Sequence, residues 1–73
     1  MNTVTITFKG HFYGEVADIA YFSQKFTGTL QEMRNHIKQS AFQMINDGGF
    51  EDVTVNVVYS DGEEVDYKSP LDL

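Results

Sequence analysis

Residues 53–68 read Val53-Thr54-Val55-Asn56-Val57-Val58-Tyr59-Ser60-Asp61-Gly62-Glu63-Glu64-Val65-Asp66-Tyr67-Lys68. Val53, Val55, Val57 and Tyr59 alternate with Thr54, Asn56 and Val58, the period of a half-buried strand. Ser60-Asp61-Gly62 is a hairpin signal. A two-residue loop at Asp61-Gly62 would oppose Val58 to Val65 and Val57 to Asp66. A three-residue loop, Ser60 to Gly62, pairs Val57 with Val65 and Val55 with Tyr67. Only the second keeps the apolar residues on one face, because a one-residue slip turns every side chain over. Gly62 then takes the left-handed position of a bulged turn. Val53 to Val58 is also more apolar than Glu64 to Lys68. Central strands are the more apolar ones, so the third strand is expected inside the sheet and the fourth at its edge.

Upstream, Val4, Ile6 and Phe8 alternate with Thr3, Thr5, Thr7 and Lys9, a first half-buried strand rich in β-branched residues. Gly10-His11-Phe12-Tyr13-Gly14 reads as a connection, with glycines bracketing aromatics. Residues 15–26 admit two readings: a strand with Val16, Ala20, Phe22 and Phe26 on one face, or a helical face of Val16, Ile19, Ala20 and Ser23. Aromatic content and the helix start just beyond favour the strand. Thr29-Leu30-Gln31-Glu32 is a capping box, in which the threonine hydroxyl and the glutamate satisfy each other's backbone N–H. Leu30, Met33, Ile37, Ala41, Met44 and Ile45 then form one apolar helical stripe. Phe42 lies beside that stripe, either extending the core or partly exposed. Asp47-Gly48-Gly49 ends the helix.

The expected architecture is α+β: a ββαββ chain whose mostly antiparallel four-stranded sheet carries one helix on one face. Residues 1–73 make a single small domain, with residues 69–73 a frayed tail. Phe26-Thr27-Gly28-Thr29-Leu30 resembles the strand-to-helix junction of the immunoglobulin-binding β-grasp domains of bacterial surface proteins. The resemblance covers the second strand and the helix start, and it implies a β-grasp topology with the last strand beside the first. The apolarity of the third strand argues instead for the all-antiparallel order 2-1-3-4. Both orders stay open at this point, and no function is carried over, because a fold does not specify one.

At 73 residues, with 41% hydrophobic and 14% aromatic residues, the chain is rich enough for a core and too aromatic for a disordered tail. It holds no cysteine, so neither a disulfide nor a thiolate metal site supports it. Its apolar runs are too short to span a membrane. Met1-Asn2-Thr3-Val4 lacks the basic-then-apolar start of a signal peptide, which places the chain in the soluble cytoplasm as an expectation. The net charge is −6, and its distribution is uneven. Residues 1–46 carry three acids and four bases; residues 47–73 carry eight acids and one base, Lys68. Such an end repels a phosphate backbone, so direct nucleic-acid binding is disfavoured. It attracts a basic protein surface. The plain reading of the same acids is solubility.

The sequence offers little for catalysis. Its glycines, at 10, 14, 28, 48, 49 and 62, never precede a lysine in phosphate-loop spacing. His11 and His36 have no serine and acid at triad spacing. His36 is expected on the solvated flank of the helix. His11 lies in the aromatic connection with no second metal ligand at matching spacing. Asp61, Glu63, Glu64 and Asp66 lack the EF-hand pattern, and neighbouring strand residues diverge to opposite faces. One helix on one sheet leaves little room for a substrate cleft. We therefore expect no catalytic residue, no metal site and no cofactor.

Binding surfaces remain. The acidic third presents Glu51, Asp52, Asp61, Glu63, Glu64 and Asp66, with the turn from Ser60 to Glu64 expected beside Glu51 and Asp52. Such carboxylates can mimic a nucleic-acid backbone for a basic groove, or simply guard an edge strand. The uncovered sheet face is expected to show Ile19, Tyr21 and Val58 among Thr3, Thr5, Thr7, Thr54 and Asn56. Phe12 and Tyr13 in the first connection are candidate aromatic anchors, or a plug beneath the sheet. The leading expectation is a non-enzymatic interaction module, an acidic inhibitor or adaptor that occludes a partner's basic surface. Small acidic α+β inhibitors of phages and other mobile elements are similar in size and charge. The alternative is a self-assembling structural protein that dimerises through its open sheet face or an edge strand.

Overall fold

A computed structural model of the protein describes residues 2–12 and 20–73, apart from the side chains at positions 2, 12, 20 and 21. Its elements in chain order are β1 (Asn2–Phe12), β2 (Ala20–Gly28), α1 (Leu30–Asn46), β3 (Phe50–Tyr59), β4 (Glu64–Tyr67) and a 3-10 turn over Pro70–Asp72. The sheet order is β2-β1-β3-β4, and every neighbouring pair is antiparallel. This is the second of the two expected orders; the last strand does not lie beside the first. β2 and β3 flank β1 and run the same way, so α1 crosses over β1 to join them.

The physical reason for the order is visible in the core. β1 contributes Val4, Ile6 and Phe8; β3 contributes Val53, Val55 and Val57; α1 contributes Met33, Ile37 and Ala41, all buried. The two most apolar strands take the two central places, where one face of each is sealed by the helix. In register, Phe22, Phe8, Val55 and Tyr67 make one row across all four strands on the helix side.

The hairpin forms as its alternation dictates. Val57 pairs with Val65 and Val55 with Tyr67. Tyr59 N–H donates to Glu63 O at 2.8 Å and Gly62 N–H donates to Tyr59 O at 2.9 Å. Gly62 has φ +92°, a conformation that crowds the Cβ of other residues. The capping box is complete: Glu32 N–H donates to Thr29 Oγ1 at 3.1 Å, and Thr29 N–H to Glu32 Oε1 at 3.0 Å. The Thr29 N–H donated to its carboxylate, helped to a lesser degree by the Thr29 side chain, holds Glu32 below its ordinary acidity range.

Four details depart from the sequence reading. First, β1 does not end at Lys9 but runs on to Phe12, so Gly10 lies inside the strand rather than in a connection. Opposite Gly10 the β1–β3 register shifts by one residue, and Asp52 takes φ +53°. A Cβ at position 10 would lie 3.2 Å from both Glu51 O and Val53 Cγ2, so the bulge needs the missing side chain. Second, Leu30, placed in the apolar stripe, is the first residue of the helix and is 53% exposed. Third, His36 is half-buried instead of solvated: it stacks on Phe26 with centroids 5.0 Å apart, and its Nε2 lies 2.6 Å from Gln24 Nε2. Fourth, residues 69–73, expected to fray, carry the 3-10 turn. Pro70 is buried there and Leu73 packs against the core. Proline begins such a turn at low entropic cost, and a terminal leucine gains by leaving water.

Candidate functional site

The acidic third of the chain separates into two groups. Asp61, Glu63, Glu64 and Asp66 belong to the β3–β4 hairpin; Glu51 and Asp52 stand at the opposite end of β3. The expectation that the turn sits beside Glu51 and Asp52 is thereby corrected. Seven residues of strand, 53–59, lie between, roughly 23 Å of extended chain. The two groups therefore lie at opposite ends of β3.

The hairpin group is the denser one. Asp61 Oδ1 accepts the Glu63 N–H at 3.0 Å, which fixes the aspartate across the turn. In β4 the side chains alternate. Val65 and Tyr67 are half-buried on the helix side, while Glu64 and Asp66 are exposed on the open face of the sheet. Asn56, beside them on β3, donates its Nδ2 to Asp66 Oδ1 at 2.8 Å and to Glu64 Oε1 at 3.4 Å. One amide thus gathers two carboxylates without neutralising either. Among the described residues, none of Asp61, Glu63, Glu64 and Asp66 forms an ion pair. Behind the hairpin, burial raises the Tyr59 phenol above its ordinary range, and the adjacent Tyr67 and Glu63 raise it further.

At the far end, Asp52 Oδ2 lies 3.0 Å from His11 Nε2, and Asp52 is otherwise open to solvent. The histidine of the expected aromatic connection is therefore a strand residue facing the bulge. Tyr13 and Ile19 fall outside the described residues, as do the side chains of Phe12 and Tyr21. The backbones of the last two are placed: Phe12 pairs with Phe50, and Tyr21 with Lys9. Val58 is half-buried on the open face, between Thr5 and Glu64 in register.

The described part of the open face is polar and internally bonded. Thr3 Oγ1 meets Thr27 Oγ1 at 2.9 Å, and Thr7 Oγ1 meets Ser23 Oγ at 2.9 Å. Hydroxyl ladders of this kind satisfy cross-strand neighbours without needing a cover. On the other side of the molecule, Phe42 is 57% exposed and, with Leu71, Lys38, Gln39 and Gln43, lines a shallow groove on the outer surface of α1. Among the described residues, no three potential metal ligands gather, and no helix is long and apolar enough to cross a membrane.

Alternation places Phe22 on the inner face, and the structure leaves it half exposed there. The signal was available: Phe22 follows Tyr21 on the strand farthest from the apolar third strand, where a single helix offers least cover. Compared with known proteins, the chain matches no family model, no curated protein and no solved structure.

Proposed function

We propose that the chain is a non-enzymatic protein-binding module, acting as an inhibitor or adaptor that covers a basic, nucleic-acid-binding surface of its partner. The observation that carries this reading is the hairpin's four carboxylates, Asp61, Glu63, Glu64 and Asp66, held on one edge with no ion pair among the described residues. Glu64 and Asp66 are two residues apart on one strand, about 7 Å. They therefore present a short row of like charge that a lysine- and arginine-lined groove can meet along its length. Unpaired surface carboxylates gain from such a partner without first losing an ion pair of their own. In this reading the fold is a rigid mount, no cofactor is used, and binding is stoichiometric. Glu51 and Asp52 lie outside the contacting patch.

The test is capture of partners from host lysate on the tagged chain, washed in parallel at low and high salt. The expected partner is basic, is lost at high salt, and is not retained by a chain with Asp61, Glu63, Glu64 and Asp66 all changed to lysine. Changing Glu51 and Asp52 to lysine should leave most of the capture intact. Retention of the same partner by the four-fold hairpin variant would overturn the proposal.

A further inference from the structure

β2 is an edge strand, and among the described residues its outer side has no partner. An unpaired edge presents a row of N–H and C=O groups that can template another strand. Edges are ordinarily closed to that by shortness, by proline or by charge. β2 has nine residues, no proline and one charged side chain, Lys25. On its helix side, Phe22 stacks on buried Phe8 with centroids 5.8 Å apart, yet remains 53% exposed. An aromatic ring is thus half uncovered immediately beside an open row of backbone groups.

We propose that β2 pairs antiparallel with β2 of a second copy about a two-fold axis at Gln24, joining the two sheets into one. β2 runs from residue 20 to residue 28, so Gln24 is its midpoint. This register alone pairs the strand over its whole length. It sets Phe22 opposite Phe26 of the second copy, and Phe26 opposite the second Phe22, all on the helix side. It sets Lys25 opposite Ser23, where an axis at Lys25 would oppose two lysines. An axis at Ser23 would place each half-exposed Phe22 against a glutamine.

Charge selects the second copy as the occupant and β2 as the edge. Each chain carries −6, so two copies repel except where their local charge is not acidic. Meeting through β4 would bring Glu64 and Asp66 of both copies together. Meeting through β2 brings together a strand whose only charge is positive and leaves the two acidic hairpins at the outer ends of the joined sheet. The arrangement is isologous, so it closes at a dimer. It does not depend on what the hairpins bind.

The chain has no native cysteine, which makes register readable by cross-linking. Ser23 and Lys25 are both exposed, so S23C and K25C are tolerable changes. In the proposed register the two positions face one another at about 5 Å between Cβ atoms, while like positions are diagonal at about 7–8 Å. Mixing S23C with K25C under mild oxidation should give several-fold more disulfide-linked dimer than either variant alone. Sedimentation of the unaltered chain should show a dimer that persists at high salt, and F22K should sediment as a monomer with its circular dichroism retained. A monomeric unaltered chain at high micromolar concentration would overturn the proposal. So would an F22K chain that stays dimeric, or a mixture that cross-links no better than its components. If F22K does not fold, the cross-linking pair decides alone.

Discussion

The sheet has two edges, and they are built on different principles. β4 has four residues, two of them acidic, and is followed by a turn of chain that packs against the helix. β2 has nine residues and one charge. The row Phe22–Phe8–Val55–Tyr67 shows the consequence. Phe8 and Val55 are buried in the centre. At one end Tyr67 is half-buried and packs on the core with Leu73; at the other Phe22 is half exposed. A single helix is too narrow to cover four strands evenly, so one edge needs help from elsewhere in the chain. The C-terminal residues pack against α1 and the core on which Tyr67 also rests, and among the described residues nothing similar is added at β2. The charged, short, covered edge is suited to meeting a basic partner through its carboxylates. The long one, with its single lysine, is suited to meeting a strand.

The largest expected effect comes from removing the residue on which both edges depend. Phe8 is fully buried, lies under Phe22 and pairs with Val55. Phe8→Ala should cost about 3–5 kcal/mol, read as a drop in the denaturant midpoint. For so small a domain that is a large share of the total, typically about 5–15 kcal/mol. Amides of β2 should lose hydrogen-exchange protection more than those of β4, because only β2 has its aromatic resting on that ring. Equal loss at both edges would show that the tail does not hold β4 independently.

Next comes removal of Pro70 to Leu73, which should make the β4 edge resemble the β2 edge. Half-burial of one leucine and burial of one proline suggest about 2 kcal/mol, with Tyr67 becoming accessible to modification. An unchanged midpoint would mean that the tail frays in solution, as its sequence alone suggested. Gly62→Ala should cost about 1–2 kcal/mol, since φ +92° is unfavourable for a residue with a Cβ. That loss should loosen the hairpin and leave β2 pairing unaltered. Thermal melts with and without the substitution check the first statement, and the S23C with K25C cross-link checks the second.

The legible and illegible parts of the fold divide by the range of the information they need. The β3–β4 register follows from local alternation plus one glycine, and the helix start from a four-residue box; both can be read within a dozen residues. Strand order is left open between two arrangements by the sequence, and the apolarity of the third strand points toward the one the structure has. The separation of Glu51 and Asp52 from Asp61 to Asp66 comes from the extended strand between them, which carries residues close in sequence far apart in space. The half-burial of His36 depends on which flank of α1 faces β2, where Phe26 and Gln24 await it; periodicity places a residue on a flank but does not say what the flank meets. The bulge at Asp52 needs Gly10, some forty residues away in sequence. Of the acidic surface, the residue types were legible, and their division into two ends was not.

The smallest effects concern pH, and they address the two edges from opposite sides of neutrality. Glu32 belongs to the capping box at the end of β2, and its folded acidity lies below the ordinary carboxyl range because Thr29 donates to it. A depressed value means that its contribution to stability is present above the ordinary carboxyl range and is lost as pH falls through the folded value. Tyr59 stands at the β3–β4 turn, with its phenol raised by burial and by Tyr67. A raised value means that its contribution is complete below the ordinary phenol range and is lost as pH rises through the folded value. Acid should therefore loosen the β2–α1 junction, and alkali the hairpin. Carboxyl and ring resonances followed through a titration read both, with Glu32→Gln flattening the first response and Tyr59→Phe the second. A Glu32 carboxyl titrating at or above its ordinary range would show that the capping box is open in solution. On the helix side the end of β2 would then rest on Phe26 packing against His36.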